Sequence, residues 1–489
     1  MQETFGSHQE RPVHPVLMMQ ELNETVTIGA TVPTGFELTS AEEIKEKLEA
    51  TARINKDRGK IYFDITSDKL SKLHNLRSVD HLFVVVDQYD NYQFKGTKEE
   101  EQVDLQELAA KLSWTSALEI WKMNISLKKK KGRRKGTYSK KSDHSGNVST
   151  KCTSETVPSD PTSLSEDLEA LQVTNQTDVS HPESGPQTEK LSGDQEALPL
   201  KFRVTCNRAG DNHCFSSNDA ARDFGGAVQD LFHWKPDMTK FDIEVLLNIH
   251  NVEVVIGIAL TEVSLHRRNI SHFGPTTLRP TLAYGMLRLC KPQPSDVILD
   301  PMCGSGVIPL EGAIEWPNSF FLAGDNNGIA INRTVNNVKH LLKNRPPVER
   351  SSSGLPLDII QWDLCNLSVR SSSVDIIITD MPFGKRMGSR KKNWELYPLC
   401  LREMARVCKP DTGRAVLLTQ DKKCFTKAIL QMGELWRRSH TAWVNVGGLR
   451  AGVFVLQRTG LVFGTTSGDV KKPRKEMESP QEAMEDKSL

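Results

Sequence analysis

The chain has 489 residues, with 63 Lys plus Arg against 62 Asp plus Glu. This length predicts roughly two to four domains. The mean hydropathy of -0.44 indicates folded cores with an added polar segment. No stretch reaches the ~18 apolar residues of a membrane span, and the first residues lack a secretory-signal pattern. Nine scattered cysteines without a C-x-x-C pair argue against a disulfide scaffold and a zinc site, so we expect no metal ligands and a cytoplasmic location.

The first folded unit is predicted over residues 25–127, after a flexible tail at 1–24. The pattern Ser40-Ala-Glu-Glu43 is typical of a capping box, with Ser40 as N-cap of a helix. The other predicted elements are three strands and one long amphipathic helix: Thr25–Ala30, Lys60–Ile65, Leu82–Asp87 and the helix Val103–Met123. This alternation of strands and helices predicts a ferredoxin-like α/β domain.

A disordered linker is predicted over residues 128–199. Its first part, Lys128–Lys141, has nine basic residues among fourteen and no acid, whereas residues 155–196 have ten acids against one Lys. Such a composition buries too little apolar surface to offset the entropy of ordering. The basic run is either a solvated tether or a patch for nuclear localisation or RNA contact, so the nucleus stays open as a second location.

A second α/β unit is predicted over residues 200–270. It has a helix at Asn218–Phe232, with Ser217 or Asn218 as its cap, and three strands, Phe202–Asn207, Phe241–His250 and Val252–Leu260. Four arginines occur along this unit, namely Arg203, Arg208, Arg267 and Arg268. On their own they are typical of solvated surface residues.

A third unit is predicted over residues 271–465, where the pattern changes to repeated strand–helix units from about Asp296, followed by a flexible tail at 466–489. Five short apolar strands are predicted, Asp296–Asp300, Phe320–Asp325, Asp358–Asp363, Val374–Asp380 and Arg414–Gln420. This order predicts a doubly wound, mostly parallel sheet over residues 271–465. Ligands bind beyond the carboxyl ends of such strands. Four strands end in an acid that we expect to line one cleft: Asp300, Asp325, Asp363 and Asp380.

The loop after the first of these strands predicts the cofactor. Gly304 and Gly306 let the backbone turn sharply at a helix N-terminus. The third glycine of a dinucleotide fingerprint is replaced by Pro309, so a dehydrogenase fits poorly. The string Asp300-Pro-Met-Cys-Gly-Ser-Gly306 instead resembles motif I of the Rossmann-like methyltransferases, which implies S-adenosyl-L-methionine as cofactor.

The chemistry of that cofactor assigns the remaining pocket residues. Asp325 is expected to accept the ribose hydroxyls, and Asp363 the adenine amino group, with Leu364 packing on the base. Arg279, which precedes Pro280 at a predicted helix start, is expected to receive the carboxylate. Three loop neighbours complete the predicted set: Met302, Cys303 and Asn326. We interpret Cys303 as a small buried residue because no neighbour would activate it as a nucleophile.

The fourth strand ends in Asp380-Met-Pro-Phe-Gly384, which predicts the reaction. This string resembles the Asp/Asn-Pro-Pro-Tyr/Phe motif of methyltransferases that modify amino groups of bases, with Met381 in place of the first Pro. The Asp380 carboxylate and the Met381 carbonyl would hold the amine, Pro382 stiffens the loop, and Phe383 offers a face to a flipped base. The loop has no Cys, which argues against C5-pyrimidine methylation.

The whole layout resembles the THUMP-domain tRNA guanine-N2-methyltransferases from about Thr25 to Gly464, outside the acidic linker. The resemblance implies a ferredoxin-like domain and a THUMP domain that hold tRNA, and a guanosine target at the sixth nucleotide of the acceptor stem. It also implies a heterodimer with a small zinc-binding activator subunit. By the same resemblance the four arginines become candidate phosphate contacts.

Two other functions stay open from the sequence. One is a non-catalytic RNA-binding scaffold on an inherited fold. The other is amine methylation of another nucleic acid or of a protein glutamine. Intact acids at the strand ends favour catalysis, and the polar second unit favours RNA.

Overall fold

The computed structural model describes residues 25–55, 58–136, 199–211, 213–345, 354–384 and 389–463, with the side chains of 129–136 left out. The predicted tails at 1–24 and 466–489, and most of the predicted linker, lie outside the described residues. The last helix before the linker nevertheless continues to Gly136, past the predicted boundary at residue 128. No helix in the described ranges is long and apolar enough to cross a membrane.

The two predicted N-terminal units share one eight-stranded sheet, here called the first sheet. Its strands are β1 Thr25–Thr31, β2 Ala52–Asn55, β3 Lys60–Thr66, β4 His81–Tyr89, β5 Lys201–Ala209, β6 Lys235–Pro236, β7 Ile243–His250 and β8 Glu253–Ala259. Their order is β2-β3-β1-β4-β8-β7-β5-β6. The antiparallel pair β4–β8, with Phe83 opposite Ala259, joins the strands of the first predicted unit to those of the second.

Five helices accompany the first sheet: α1 Glu37–Leu48, α2 Leu70–Leu73, α3 Lys98–Lys111, α4 Thr115–Gly136 and α5 Ser217–Phe232. They enclose one apolar core with alternate strand residues such as Ile28, Phe63 and Val245. The period of two along a half-buried strand explains why every second side chain enters this core.

Three helix predictions in this half were wrong, one of them the cap of α5, which is Ser216 and neither Ser217 nor Asn218. The predicted capping box is absent, because α1 already begins at Glu37 and Ser40 is buried within its first turn. Glu43 instead accepts hydrogen bonds from the backbone and hydroxyl of Ser78. The long helix predicted over Val103–Met123 is two helices, because the chain turns between Lys111 and Thr115.

The C-terminal half forms a second, seven-stranded sheet, here called the second sheet. Its strands are β9 Val297–Asp300, β10 Phe320–Asp325, β11 Leu357–Gln361, β12 Ile376–Asp380, β13 Arg414–Thr419, β14 Trp436–Val446 and β15 Leu449–Arg458. The helices are α6 Pro280–Cys290, α7 Val307–Glu315, α8 Gly328–Asn344, α9 Arg390–Val407 and α10 Lys422–Gln431. The order β11-β10-β9-β12-β13-β15-β14 is parallel up to β13, and β15 runs antiparallel. The predicted doubly wound sheet is confirmed.

A polar joint, formed by Arg77, Asn269 and Glu311, connects the first sheet with the second. The Arg77 guanidinium, beside the first sheet, donates to the fully buried Glu311 carboxylate of α7, with an Nε–Oε2 distance of 3.0 Å. Asn269 donates to the other oxygen of Glu311 at 2.8 Å. A buried charge held from both sides resists separation of its partners, so this joint fixes the first sheet against the second.

Candidate active site

The predicted strand-end acids meet at the carboxyl edge of the second sheet. Asp300 lies beneath the edge, where it accepts from the Thr379 hydroxyl at 2.7 Å and from the Met302 backbone at 3.3 Å. Burial raises the pKa of Asp300 to about 7. Because Oδ1 of this buried carboxylate accepts both bonds, Asp300 shapes the loop, and the cofactor contact predicted for it stays a prediction.

Asp380, at the end of β12, has a buried carboxylate oxygen, Oδ1, that accepts no hydrogen bond from the described residues. Burial raises the pKa of Asp380 to about 8, and the charge of nearby Asp300 adds to the effect. A buried, unpaired carboxylate oxygen is costly. The residue is therefore poised to accept a hydrogen bond from a ligand.

The glycine loop has the backbone geometry that the sequence predicts. Gly304 and Gly306 have φ values of 58° and 79°, in the left-handed region. A Cβ on Gly306 would lie 2.5 Å from the Thr334 methyl carbon, whereas a Cβ on Gly304 would meet nothing within 4 Å. The loop therefore packs on α8 at Gly306 and faces open space at Gly304.

Asp325 and Asp363 flank this open space. Asp325 ends β10 and accepts from the Gly304 backbone at 3.0 Å and, through its other oxygen, from the Asn327 backbone at 2.9 Å. Asp363 is exposed two residues beyond the end of β11, so that strand is shorter than predicted. Leu364 beside it is buried and Asn326 is exposed.

Three further residues predicted for the cofactor show different degrees of exposure. Arg279 is the N-cap residue of α6, Pro280 occupies the first turn as predicted, and the Arg279 side chain is 55% exposed. Met302 packs, partly buried, against the core below the cleft. Cys303 is buried, and burial raises the pKa of its thiol well above the ordinary value. Its interpretation as a buried loop residue is confirmed.

Two residues that the sequence did not predict hold the loop of residues 381–384, which follows β12 and is here called the catalytic loop. The Pro382 carbonyl accepts from the Tyr397 hydroxyl at 2.7 Å and from Asn393 Nδ2 at 3.0 Å. Both donors lie on α9, four residues apart and therefore on one face. Asn393 also donates to Asp421 at 3.2 Å. The Met381 backbone donates to Leu418 at 2.9 Å, so the loop is fixed on both sides while Phe383 stays half-buried.

The four predicted phosphate-contact arginines differ in their surroundings. Arg203 donates twice to Glu244 and lies over the Phe241 ring. Arg208 donates to the Gly210 carbonyl. Arg268 donates to the carbonyls of residues 76, 77 and 79, so its guanidinium is already bound by the segment that carries Arg77, and the phosphate contact predicted for it stays a prediction. Arg267 is the exposed member of the four.

Comparison with known proteins identifies the family. A family model described as "RMKL-like, methyltransferase domain" matches residues 267–452, and a THUMP domain model matches residues 186–259. The Bos taurus protein named tRNA (guanine(6)-N(2))-methyltransferase THUMP3 is 59% identical over 459 residues, covering 90% of this chain and 89% of its own. The chain belongs to the THUMP-domain methyltransferase family. The two family-model matches and this relative confirm the methyltransferase and THUMP assignments made from the sequence.

Solved structures show the same fold as this THUMP-domain methyltransferase. TrmN from Thermus thermophilus aligns with a TM-score of 0.60 at 20% identity, over 89% of this chain and 100% of that one. The methyltransferase SMU.472, complexed with SAH, aligns with a TM-score of 0.57 at 15% identity, over 90% of this chain and 99% of that one. At these identities the likeness concerns the fold alone.

Proposed function

We propose that this methyltransferase transfers a methyl group from S-adenosyl-L-methionine to the exocyclic N2 of a guanosine at nucleotide 6 of the tRNA acceptor stem. The observation that carries the reaction is the unpaired Oδ1 of Asp380 beside the glycine loop. The substrate is supported by the name of the 59% identical relative.

The cleft fits the proposed cofactor. Open space at Gly304, next to the carboxylate of Asp325, suits a ribose diol. The exposed carboxylate of Asp363, beside the buried Leu364, suits a flat base with an amino group. When bound, S-adenosyl-L-methionine supplies an electrophilic methyl group. We assign its carboxylate to Arg279 at the start of α6, where the helix dipole favours an anion.

The role of Asp380 follows from the chemistry of the target amine. The lone pair of N2 is delocalised into the guanine ring, so the amine is a weak nucleophile. The ionised Asp380 accepts a hydrogen bond from it and stabilises the positive charge that develops on nitrogen. Phe383 provides a face for the base once it has left its stack. Tyr397 and Asn393 keep the loop in place by binding the Pro382 carbonyl.

We further propose that the chain acts on tRNA as the catalytic subunit of a heterodimer with a small zinc-binding activator, in the cytoplasm. The substrate and the activator rest on the resemblance described above, and the location rests on the nine scattered cysteines without a C-x-x-C pair. Among the predicted arginines, the exposed Arg267 is best placed to meet a phosphate.

The test is methylation of unmodified tRNA by the full-length chain, with and without candidate activators, using labelled cofactor. A nucleoside digest should contain N2-methylguanosine, and a transcript with adenosine at nucleotide 6 should lose it. A methylated product in the adenosine-6 transcript, or a different methylated nucleoside, would reject the proposed target. Methylation that needs no added subunit would reject the activator alone.

A further inference from the structure

A polar cavity lies on the first sheet, apart from the cofactor residues of the second sheet. Its volume is about 500 Å³, which is within the range of small-ligand sites. Strands β3, β5, β7 and β8 contribute to its walls. The residues that matter below are Arg58, Lys60, Tyr62, Arg208, Asn248 and Glu253. Three of them are cations and one is an acid, so the lining carries an excess of positive charge.

Lys60 is a partly buried cation without a carboxylate partner among the described residues. Its ammonium donates to Asn248 Oδ1 at 3.1 Å. The acid of the cavity, Glu253, pairs instead with Arg58. Burial lowers the pKa of Lys60 to about 8, and the charge of Arg58 adds to this effect. Since desolvation disfavours a lone ammonium, an anion in the cavity would stabilise its charged form.

Asn248 adds a donor that is free of protein partners. The residue is 5% exposed. Its Oδ1 is fixed as the acceptor, because it receives Lys60 and also Asn207 Nδ2 at 3.1 Å. Its Nδ2 therefore points elsewhere and has no hydrogen-bond partner. A buried unpaired donor is costly unless a ligand or water satisfies it.

Arg208 shows the same feature on the neighbouring strand. Its Nε is buried without a partner, although its Nη1 donates to the Gly210 carbonyl. The Asn248 donor and the Lys60 ammonium thus lie together in the cavity, whereas Arg208, which alternates with Asn207 along β5, adds positive charge from the other face of that strand. Ligands that satisfy such a set carry several acceptor oxygens and a negative charge, as a phosphate does.

We propose that this cavity binds a nucleotide, with its phosphate held by Lys60 and Asn248. The cavity has room for more than a phosphate, and Tyr62 and Val255 give it an apolar part. The ligand is therefore a phosphate that carries a sugar and base. A free nucleoside monophosphate and a nucleotide of an RNA chain share this chemistry. The inference deepens the proposed action on RNA and rests on it to that extent, but direct binding tests it separately from methyl transfer.

The experiment titrates the full-length protein with AMP, UMP and inorganic phosphate by calorimetry. Asn248→Asp keeps the acceptor for Lys60 and replaces the free donor with a carboxylate oxygen, so nucleotide affinity should fall at least tenfold. Lys60→Gln keeps a donor and removes the charge, and should also weaken binding about tenfold. Lys235→Gln, an exposed position on β6 of the same sheet, is the matched control and should bind as wild type.

The outcomes separate the possibilities. Absence of saturable nucleotide binding by wild type, or equal binding by both cavity variants, overturns the inference. Inorganic phosphate that binds as tightly as AMP and UMP overturns the nucleotide assignment. Competition by a short RNA identifies an RNA chain as the source of the nucleotide, whereas binding of free monophosphates alone identifies a small molecule, and both agree with the inference.

Melting temperatures are recorded throughout, and Lys60→Gln carries the test if Asn248→Asp unfolds. Asp380→Asn should bind nucleotides normally, so failure at one site is distinguishable from failure at the other.

Discussion

The two sheets each place unsatisfied polar atoms in a partly buried site, but with opposite signs. At the carboxyl edge of the second sheet the spare atom is an acceptor, Asp380 Oδ1, close to Asp300. In the cavity of the first sheet the spare atom is a donor, Asn248 Nδ2, on the side chain that accepts a hydrogen bond from Lys60. Burial disfavours charge in both places. The edge of the second sheet therefore suits a ligand that donates hydrogen bonds, such as an amine, whereas the cavity of the first sheet suits an anion.

The largest effect should come from removing the acceptor charge at the second sheet. Asp380→Asn replaces one carboxylate oxygen with an amide that donates, so we expect methyl transfer to fall by about 10²- to 10³-fold. Cofactor affinity should change little, since Asp380 is assigned to the amine. The measurement is single-turnover methylation of tRNA with saturating cofactor. Asp358→Asn, an exposed carboxylate on β11, is the control, and an equal loss in both variants would contradict the role of Asp380.

The position of Asp380 was predictable, but the contact of Lys60 with Asn248 in the cavity was not. A short apolar strand that ends in an acid is a local pattern, and β9, β10 and β12 end at Asp300, Asp325 and Asp380 as predicted. The contact between Lys60 and Asn248 joins residues 188 positions apart. Such a contact depends on the order of strands in the sheet, which hydrophobic periodicity does not specify.

The same reason explains why the surroundings of Arg268 and the residues that hold the loop after β12 were not predicted. The family resemblance implied a phosphate contact for Arg268, whereas in the structure its guanidinium donates to the carbonyls of residues 76, 77 and 79. Tyr397 and Asn393 have an ordinary helical spacing, and their function becomes visible only when α9 is packed against the Pro382 carbonyl. Local patterns thus predict where strands end, whereas tertiary packing decides which side chains stay free.

The next effect concerns the joint that fixes the two sites relative to each other. The Arg77 side chain is 12% exposed and Glu311 is fully buried. Arg77→Met leaves the Glu311 carboxylate without its cation, so the free energy of unfolding should fall by about 3 kcal/mol. Urea unfolding measures it. The double variant Arg77→Met, Glu311→Gln should recover part of the loss. Lys111→Met, which removes an exposed ion pair with Glu107, should leave the midpoint unchanged, and a similar shift in both would contradict a buried joint.

A rise in pH should act on the two sites in opposite directions. Burial raises the pKa of Asp380 to about 8, so the accepting carboxylate forms as the pH rises, and kcat/KM for methyl transfer should increase up to about 8. Burial lowers the pKa of Lys60 to about 8, so its charge is lost above that pH and nucleotide binding should weaken, by up to about tenfold per unit.

The other groups facing Lys60 allow this pH dependence to be assigned. Burial lowers the pKa of His250 and raises that of Cys206 to about 11, so neither titrates between pH 7 and 9. Arg58 and Glu253 pair with each other in the same cavity. The measurement is kcat/KM and the nucleotide Kd in the same buffers at pH 7, 8 and 9. Parallel changes in both quantities would contradict the assignment, and Lys60→Gln should abolish the change in Kd alone.

The smallest effect tests how firmly the acceptor at the second sheet is positioned. The Tyr397 hydroxyl donates to the Pro382 carbonyl and also contacts the Thr419 hydroxyl, both at 2.7 Å. In Tyr397→Phe the carbonyl keeps only Asn393, and the loss of one hydrogen bond of about 1 kcal/mol should lower kcat roughly fivefold. KM for tRNA and cofactor affinity should stay constant, because Tyr397 positions the loop and is not assigned to either ligand. Tyr92→Phe, which removes a 2.7 Å bond to Asp104 beside the first sheet, is the matched control. A fall in kcat in both variants would indicate a general loss of stability, whereas a fall in Tyr397→Phe alone, at an unchanged melting temperature, assigns the effect to the geometry of the loop that carries Asp380.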